Sequence, residues 1–325
     1  MNYLSVFHNG VDARFNLALE EHLLKNKKDF FIYLWVNSPS VIVGVNQNAM
    51  QEVNFSYTQK HDIKVVRRIT GGGTVYHDLN NLCYSIIAPY DNQNDYYKLF
   101  TKPVIEYLNS LGVNAQFSGR NDITVGGKKI SGNAQTVYKD RILHHGTILF
   151  KTDMQAMQSA ITPPDYKMQS KGIKSVRARV TNVCQYLKTP MSATEFMLGL
   201  KQKLFADCKE YFITQEDISL VNRLVETKYD TFSWNVGSSP KSNLELNGKF
   251  DFGYISINLD VKDGLIENAK VLGDFFELKP IGEWAKKLLG LKLDANCLAP
   301  VFYDICAYVK GADANQLLKT FFGQE

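Results

Sequence analysis

Cysteine is scarce in this 325-residue chain: five residues, at 83, 184, 208, 297 and 306, an odd number with no C-x-x-C spacing. That argues against a disulfide framework and for reduced thiols in a cytoplasmic setting. An excess of charge of one sign is lacking too. A net charge of +4 is too small to imply a nucleic-acid binder, although it leaves room for a local basic pocket. Apolar runs such as 40–45 fall far short of the roughly 20 residues that span a bilayer. The opening MNYLSVFHNGVDARFN has no basic stretch followed by an apolar one, so no secretory signal is read there. Internal repeats and low-complexity tracts are missing. What remains is ordinary: 45% hydrophobic and 22% charged residues, enough for a sizeable core in one large domain or two unequal ones.

The most informative stretch is Arg67-Arg68-Ile69-Thr70-Gly71-Gly72-Gly73-Thr74-Val75-Tyr76-His77-Asp78. It follows an apolar segment, 63–66, that reads as a buried strand. Glycine removes the side chains that hold a ligand away from the backbone, and successive exposed N–H groups form an anion-binding concavity. Arginine suits a planar, bidentate grip on phosphate or carboxylate. The segment reads as a loop around an anionic ligand, or as a glycine-rich turn with solvated arginines. It is neither a P-loop nor a dinucleotide fingerprint, because both spacings are absent.

Periodicity predicts helices over 12–25, capped by Asp12, and over 97–111, stopped by Gly112. Strands are read at 31–36, 41–45, 82–88 and 142–150. Gly126-Gly127 between two alternating segments signals a tight hairpin. Its register would pair Val125 with Lys128, Thr124 with Lys129 and Asp122 with Ser131. Asp122 and Thr124 would then share a face with Lys129, Ser131 and Asn133, while Ile123, Ile130, Gly132 and Ala134 would face the core. Helices follow at 194–205 and 216–227. A run rich in Asn, Gly, Ser and Pro at about 235–248 reads as a linker between domains 1–240 and 249–325. The tail, with a strand at 250–260 and helices at 281–289 and 314–322, reads as a small α+β unit.

These parts suggest an anion-binding, nucleotide-type pocket. The Asp122–Lys129 pair is either a surface ion pair or part of that site. His144 and His145 are adjacent on a strand and point to opposite faces, so one metal does not take both, and zinc spacings are absent. Ser131 has no G-x-S-x-G elbow, which excludes a serine hydrolase of that type. Cys184 is a buried small hydrophobe or a nucleophile with His77 or His145 as its base.

Four ordered motifs, RRITGGGTVYHDLNNLCYSI, SGRNDITVGGKKISGNAQ, KDRILHHGTILF and KGIKSVRARVTNV, resemble the lipoate–protein ligase A family. The resemblance runs from the NLALEE helix to about residue 230, and the C-terminal unit resembles the family's accessory domain. It implies an α+β fold: a large mixed-sheet catalytic domain of biotin/lipoate ligase type, with a small accessory domain. It also implies a two-step activity, in which lipoate and ATP–Mg²⁺ give lipoyl-AMP, and the acyl group passes to a lysine of an apo lipoyl domain. The acceptor would be a 2-oxoacid dehydrogenase acyltransferase subunit or a glycine-cleavage H protein. No nucleic acid, membrane or second copy of the chain is implied as a partner.

By position in the motifs, Arg68, Gly71, Gly72, Gly73, Thr74, Val75 and Tyr76 would hold the adenylate, with Arg68 also at the lipoate carboxylate. Lys129 would be the catalytic cation. Asn121 and Asp122 would contact the nucleotide or its Mg²⁺. Glu20, Trp35, His77 and His145 would lie near or along the acyl tunnel. The basic segment 171–179 would fold over the adenylate or remain a solvated loop. Two positions depart from the family pattern: Val45 where arginine is frequent, and Thr70 where serine is. Competing readings are an ATP-independent lipoyl or octanoyl amidotransferase using a cysteine thioester, and a non-catalytic lipoate-binding protein.

Overall fold

The structure is a computed structural model and describes residues 3–161, 180–236, 244–262, 264–293 and 295–322. The basic segment 171–179 and residues 237–243 of the expected linker therefore lie outside the described residues. The chain divides into two compact units. The first holds residues 1–43, 50–67 and 74–235, and the second holds 44–49, 68–73 and 236–325.

In the first unit, β1 (Tyr3–Val6), β2 (Phe30–Val36), β6 (Asn81–Pro89), β7 (Ala115–Ser118), β8 (Asp122–Val125), β9 (Lys128–Tyr138), β10 (Arg141–Leu149) and β11 (Lys209–Tyr211) build one mixed sheet. Their order is β11-β1-β2-β6-β10-β9-β8-β7. The pairs β11–β1 and β1–β2 are parallel and the remaining pairs antiparallel. A smaller sheet joins β3 (Ser40–Val43), β4 (Lys64–Arg67) and β5 (Val75–His77) in the order β4-β3-β5.

The eight-stranded sheet has two different faces, and alternation along β6 separates them. Leu82, Tyr84, Ile86 and Ala88 enter a hydrophobic core with Phe100, Val104 and Leu108 of helix Tyr96–Ser110, and with Phe196 and Leu200 of helix Ala193–Phe205. Gly146 is required on this face. A Cβ there would stand 2.1 Å from Asn133 Oδ1 and 2.6 Å from the Tyr84 ring. Cys83 and Ser85 face the other way, in register with Trp35 and Tyr33 on one side and with Thr147 and His145 on the other.

Helix Ala13–Asn26 starts where expected, with the Asp12 side chain accepting from the Arg14 N–H. It is not simply amphipathic: Glu20, Glu21 and His22 are buried along with its leucines. Each has partners. Glu21 meets Lys25, Lys228 and the Tyr229 hydroxyl. His22 meets Asp217, which also accepts from Tyr211 and Thr214 and pairs with Lys27. Burial raises the Asp217 carboxyl, but the bonds from Lys27, Tyr211 and His22 outweigh it and hold that group well below the ordinary carboxylate range.

The hairpin forms around Gly126 and Gly127, both at positive φ (55° and 75°) as a tight primed turn requires. Its register differs from the expected one. Val125 pairs with Lys128 and Thr124 with Lys129, but Ile123 then pairs with Ser131 and Asp122 with Gly132. One extra residue, Ile130, makes a β-bulge that reverses the side-chain alternation beyond it. Ser131 and Asn133 are therefore buried on the core side, where the Tyr84 hydroxyl donates to Asn133 Oδ1. Gly132 moves to the face of Asp122, Thr124 and Lys129.

The second unit contains an antiparallel sheet of β12 (Leu244–Phe250), β13 (Gly253–Lys262) and β14 (Leu265–Gly273), in that order. Helices Ile281–Lys286, Ala295–Tyr303 and Ala314–Phe322 complete it. Its core gathers Ile255, Ile257, Phe275, Trp284, Phe302 and Leu317. Strand β12 starts inside the segment expected to be linker, since Leu244 and Leu246 alternate with polar residues and pack against this core. Helix Ala295–Tyr303 was not legible, because Pro300 lies within it.

Candidate active site

The sheet face beneath helix Ala13–Asn26 carries a buried polar cluster. The Trp35 indole N–H donates to Ser85 Oγ (2.8 Å). A serine has one proton to give, and Ser85 gives it to Glu20 Oε1 (2.5 Å). The same carboxylate meets His145 Nδ1 at 3.0 and 3.1 Å. Thus Glu20, Trp35 and His145, expected together, are held in one chain by Ser85, which the sequence reading missed. A lone serine in the otherwise apolar middle of β6 was the available signal.

His77 belongs to the same neighbourhood, its ring centre 6.0 Å from that of Trp35. A second relay fixes its tautomer. The Asn16 amide nitrogen donates to the carbonyls of Gly10 and Val36, which fixes its orientation, and also to Asn37 Oδ1. Asn37 must then present its Nδ2 to His77 Nδ1 (3.0 Å), so His77 accepts there and, when neutral, carries its proton on Nε2. The Cys83 sulfur lies 3.6 Å from the same nitrogen, and burial pushes this thiol well above its usual value.

Lys129 Nζ pairs with Asp122 Oδ1 at 2.8 Å, each side chain about one-third exposed (34% and 33%). The Lys129 backbone is pinned: its carbonyl accepts from the Thr181 N–H (2.9 Å), and the residue is bridged to Val180. Asn121 is engaged in a clasp, its amide donating to the Asn133 carbonyl (2.6 Å) while its own carbonyl accepts from the Asn133 side chain. Asn121 therefore latches the strand that carries Asp122. Val75 and Tyr76 lie on β5, where burial pushes the Tyr76 phenol up to about 12.

The two arginines diverge. Arg67, in the first unit, donates through Nε to the Trp234 carbonyl, receives the Trp234 indole N–H on its own carbonyl, and is pulled down to about 10 by burial. Arg68 falls in the second unit with Gly71–Gly73. Its guanidinium donates to Thr70 Oγ1 and to the carbonyls of Gly71 and Gly73, so it shapes the loop from within. Gly72 has φ +90°, and its N–H donates to the Phe275 carbonyl (3.3 Å). A Cβ on Gly71 would come within 2.5 Å of that carbonyl oxygen, and one on Gly44 within 2.0 Å of the Gly72 carbonyl oxygen. The Val45 N–H donates to the Thr70 carbonyl, so both positions that depart from the family pattern join backbone to backbone in this loop.

Other candidates separate from the site face. His144 sits on the opposite face against Tyr84, Tyr97 and Phe100, and burial lowers its imidazole to about 3. Cys184 packs against the core on that side. Among the described residues no group of three or more His, Cys, Asp or Glu could hold a metal ion, and no helix is long and apolar enough to cross a membrane.

Residues 12–205 match the family model of the lipoyl protein ligase A/B catalytic domain, and residues 239–321 match the bacterial lipoate protein ligase C-terminus. The chain belongs to the lipoate–protein ligase family. Lipoate–protein ligase 1 of Staphylococcus aureus is 41% identical over 320 residues, covering 96% of this chain and 97% of that protein. Among solved structures, P. falciparum LipL1 in complex with lipoate superposes with a TM-score of 0.77 at 25% identity, covering 97% of both chains. A lipoate–protein ligase A bound with ATP gives 0.63 at 27% identity, over 73% of this chain and 99% of that one. Every site residue read from the sequence, from Glu20 to His145, lies within the catalytic match of this ligase.

Proposed function

We propose that this ligase activates lipoate with ATP and then lipoylates a lysine of an apo lipoyl domain, either an acyltransferase subunit of a 2-oxoacid dehydrogenase or a glycine-cleavage H protein. In the first step a lipoate carboxylate oxygen attacks the α-phosphorus and pyrophosphate leaves. In the second, the acceptor amine attacks the acyl carbon and AMP leaves. Negative charge gathers on the reacting oxygens in both transition states. A fixed cation lowers both barriers, provided it is oriented beforehand.

Lys129 carries this reading: a partly exposed ammonium, pinned through its backbone, on the sheet face that also bears the buried Glu20–Ser85–Trp35–His145 cluster. Arg68 and the backbone of Gly71 to Tyr76 would hold the adenylate. Trp35 and His77 would bound the acyl tail, with Glu20 and His145 beneath it. Mg²⁺ would arrive with ATP and neutralise its phosphates. The fit is modest but sufficient, since Asp122 keeps one carboxylate oxygen outside its ion pair and Mg²⁺ commonly takes one or two carboxylates plus phosphates. The same reading divides the chain into a catalytic domain and an accessory domain that begins with β12. It puts the protein in the cytoplasm as a monomer, where unpaired thiols persist.

The deciding assay is lipoate-dependent pyrophosphate release from ATP, followed by the mass shift of an apo lipoyl domain. The unaltered protein should show both. Lys129→Ala should lose pyrophosphate release, whereas Cys184→Ala should retain it. ATP-independent acyl transfer that disappears with Cys184 would overturn this reading in favour of the amidotransferase.

A further inference from the structure

We propose that Gly132, together with the bulge at Ile130, is the positioning residue that sets where the Lys129 ammonium lies. The inference rests on the proposed role of Lys129 and deepens it. In a regular hairpin Lys129 and Ser131 would share a face and Gly132 would point into the core. The bulge breaks that rule by pairing Thr124 with Lys129 but Asp122 with Gly132. Lys129 and Gly132, three residues apart, thereby come to the same face.

A Cβ on Gly132 would stand 2.8 Å from Lys129 Nζ, 2.9 Å from its Cε and 4.0 Å from Asp122 Oδ1. The lysine side chain folds back across its own strand into the space that glycine leaves, and only there does it meet Asp122 at 2.8 Å. The backbone cannot yield instead. The Lys129 carbonyl is held by Thr181, and the Gly132 N–H donates to Thr147 Oγ1 (3.3 Å). Gly132 is not among the glycines at positive φ, so alanine suits its backbone and the missing side chain is what matters. The clash falls on the far end of a flexible, partly exposed chain, so alanine should disturb the ammonium without disturbing the fold.

Carbon and nitrogen at 2.8 Å must separate to roughly 3.5 Å or more, which moves the ammonium by about 1 Å. A displacement of that size at a reacting centre can lower the rate by about 10²-fold. The experiment compares Gly132→Ala with the unaltered chain and with Lys129→Ala, using lipoate-dependent pyrophosphate release, thermal unfolding and a crystal structure of the variant. Gly132→Ala should lower kcat by about 10²-fold while the KM for lipoate changes by less than about threefold, since the loss is confined to the transition state. Its thermal midpoint should stay within about 2 °C, and the crystal structure should show Lys129 Nζ away from Asp122. A kcat within threefold of the unaltered enzyme, a collapsed midpoint, or an ammonium still on Asp122 would each overturn the inference. If the unaltered chain releases no pyrophosphate, the proposed activity has failed, and the crystal structure decides the positioning role separately.

Discussion

Ser85 offers a sharp test of the buried relay. It accepts the Trp35 indole N–H at 2.8 Å and donates to Glu20 at 2.5 Å, and the residue is buried, 1% exposed. Ser85→Ala strips the carboxylate of a hydrogen bond worth about 1.5–3 kcal/mol and leaves an indole N–H buried without a partner, a further 1–3 kcal/mol or so. Relaxation recovers part of this, so a net loss of about 3 kcal/mol is expected. In a Trp35→Phe background the donor is already gone. The same serine change should then cost about 1–2 kcal/mol less, and the difference is the coupling energy of the pair. Urea unfolding of the four proteins of this cycle, followed by far-ultraviolet circular dichroism, gives both numbers from the transition of the unit that contains Ser85. A loss below 1 kcal/mol, or equal losses in the two backgrounds, would refute the assignment of Ser85 as the joint between Trp35 and Glu20.

Two further outcomes follow from the opposite face. Burial lowers His144 to about 3 from its ordinary 6.5, so unfolding frees it to bind a proton that the folded protein refuses. Stability contributed by this residue is therefore lost as pH falls from about 6.5 to about 3, and His144→Gln should reduce the slope of stability against pH in that window by up to about 1.4 kcal/mol per pH unit. An unchanged slope in urea titrations would remove His144 as its source. Gly146→Ala drives a methyl group into Asn133 and the Tyr84 ring, both buried and fixed. It should destabilise by roughly 3 kcal/mol, readable in the same urea assay, and a loss under 1 kcal/mol would count against the rigid packing described.

The local order of this chain was largely legible because the signals were short-range. Asp12 and Gly112 bracket helices where capping rules put them, and Gly126-Gly127 makes the turn it advertises. Glu20, Trp35, His77 and His145 do meet, although they come from four different elements. The hairpin register was legible only as far as Lys129. Nothing in Lys-Lys-Ile-Ser-Gly-Asn says that Ile130 bulges, because the bulge goes with contacts from Asn133 to Tyr84 on β6 and to Asn121 in the turn before β8. The burial of Glu21 and His22 was hidden for a similar reason. Their partners, Lys228, Tyr229 and Asp217, lie about two hundred residues away, and helical periodicity carries no trace of a distant counter-charge.

Those distant partners bear on how the protein is made. Helix Ala13–Asn26 leaves the ribosome well before residues 217–229, and until they follow Glu21 and His22 have only Lys25 and Asn26 of their own helix as partners. Strand β1 waits equally for β11, and Arg67 waits for Trp234. The catalytic match ends at residue 205, but the first unit is finished only by the thirty residues after it. A nascent chain paused before residue 209 would lack the distant partners of Glu21 and His22 and would leave the edge of β1 open. Such a species invites aggregation or chaperone capture, and completion of this unit depends on translation running through its final helix.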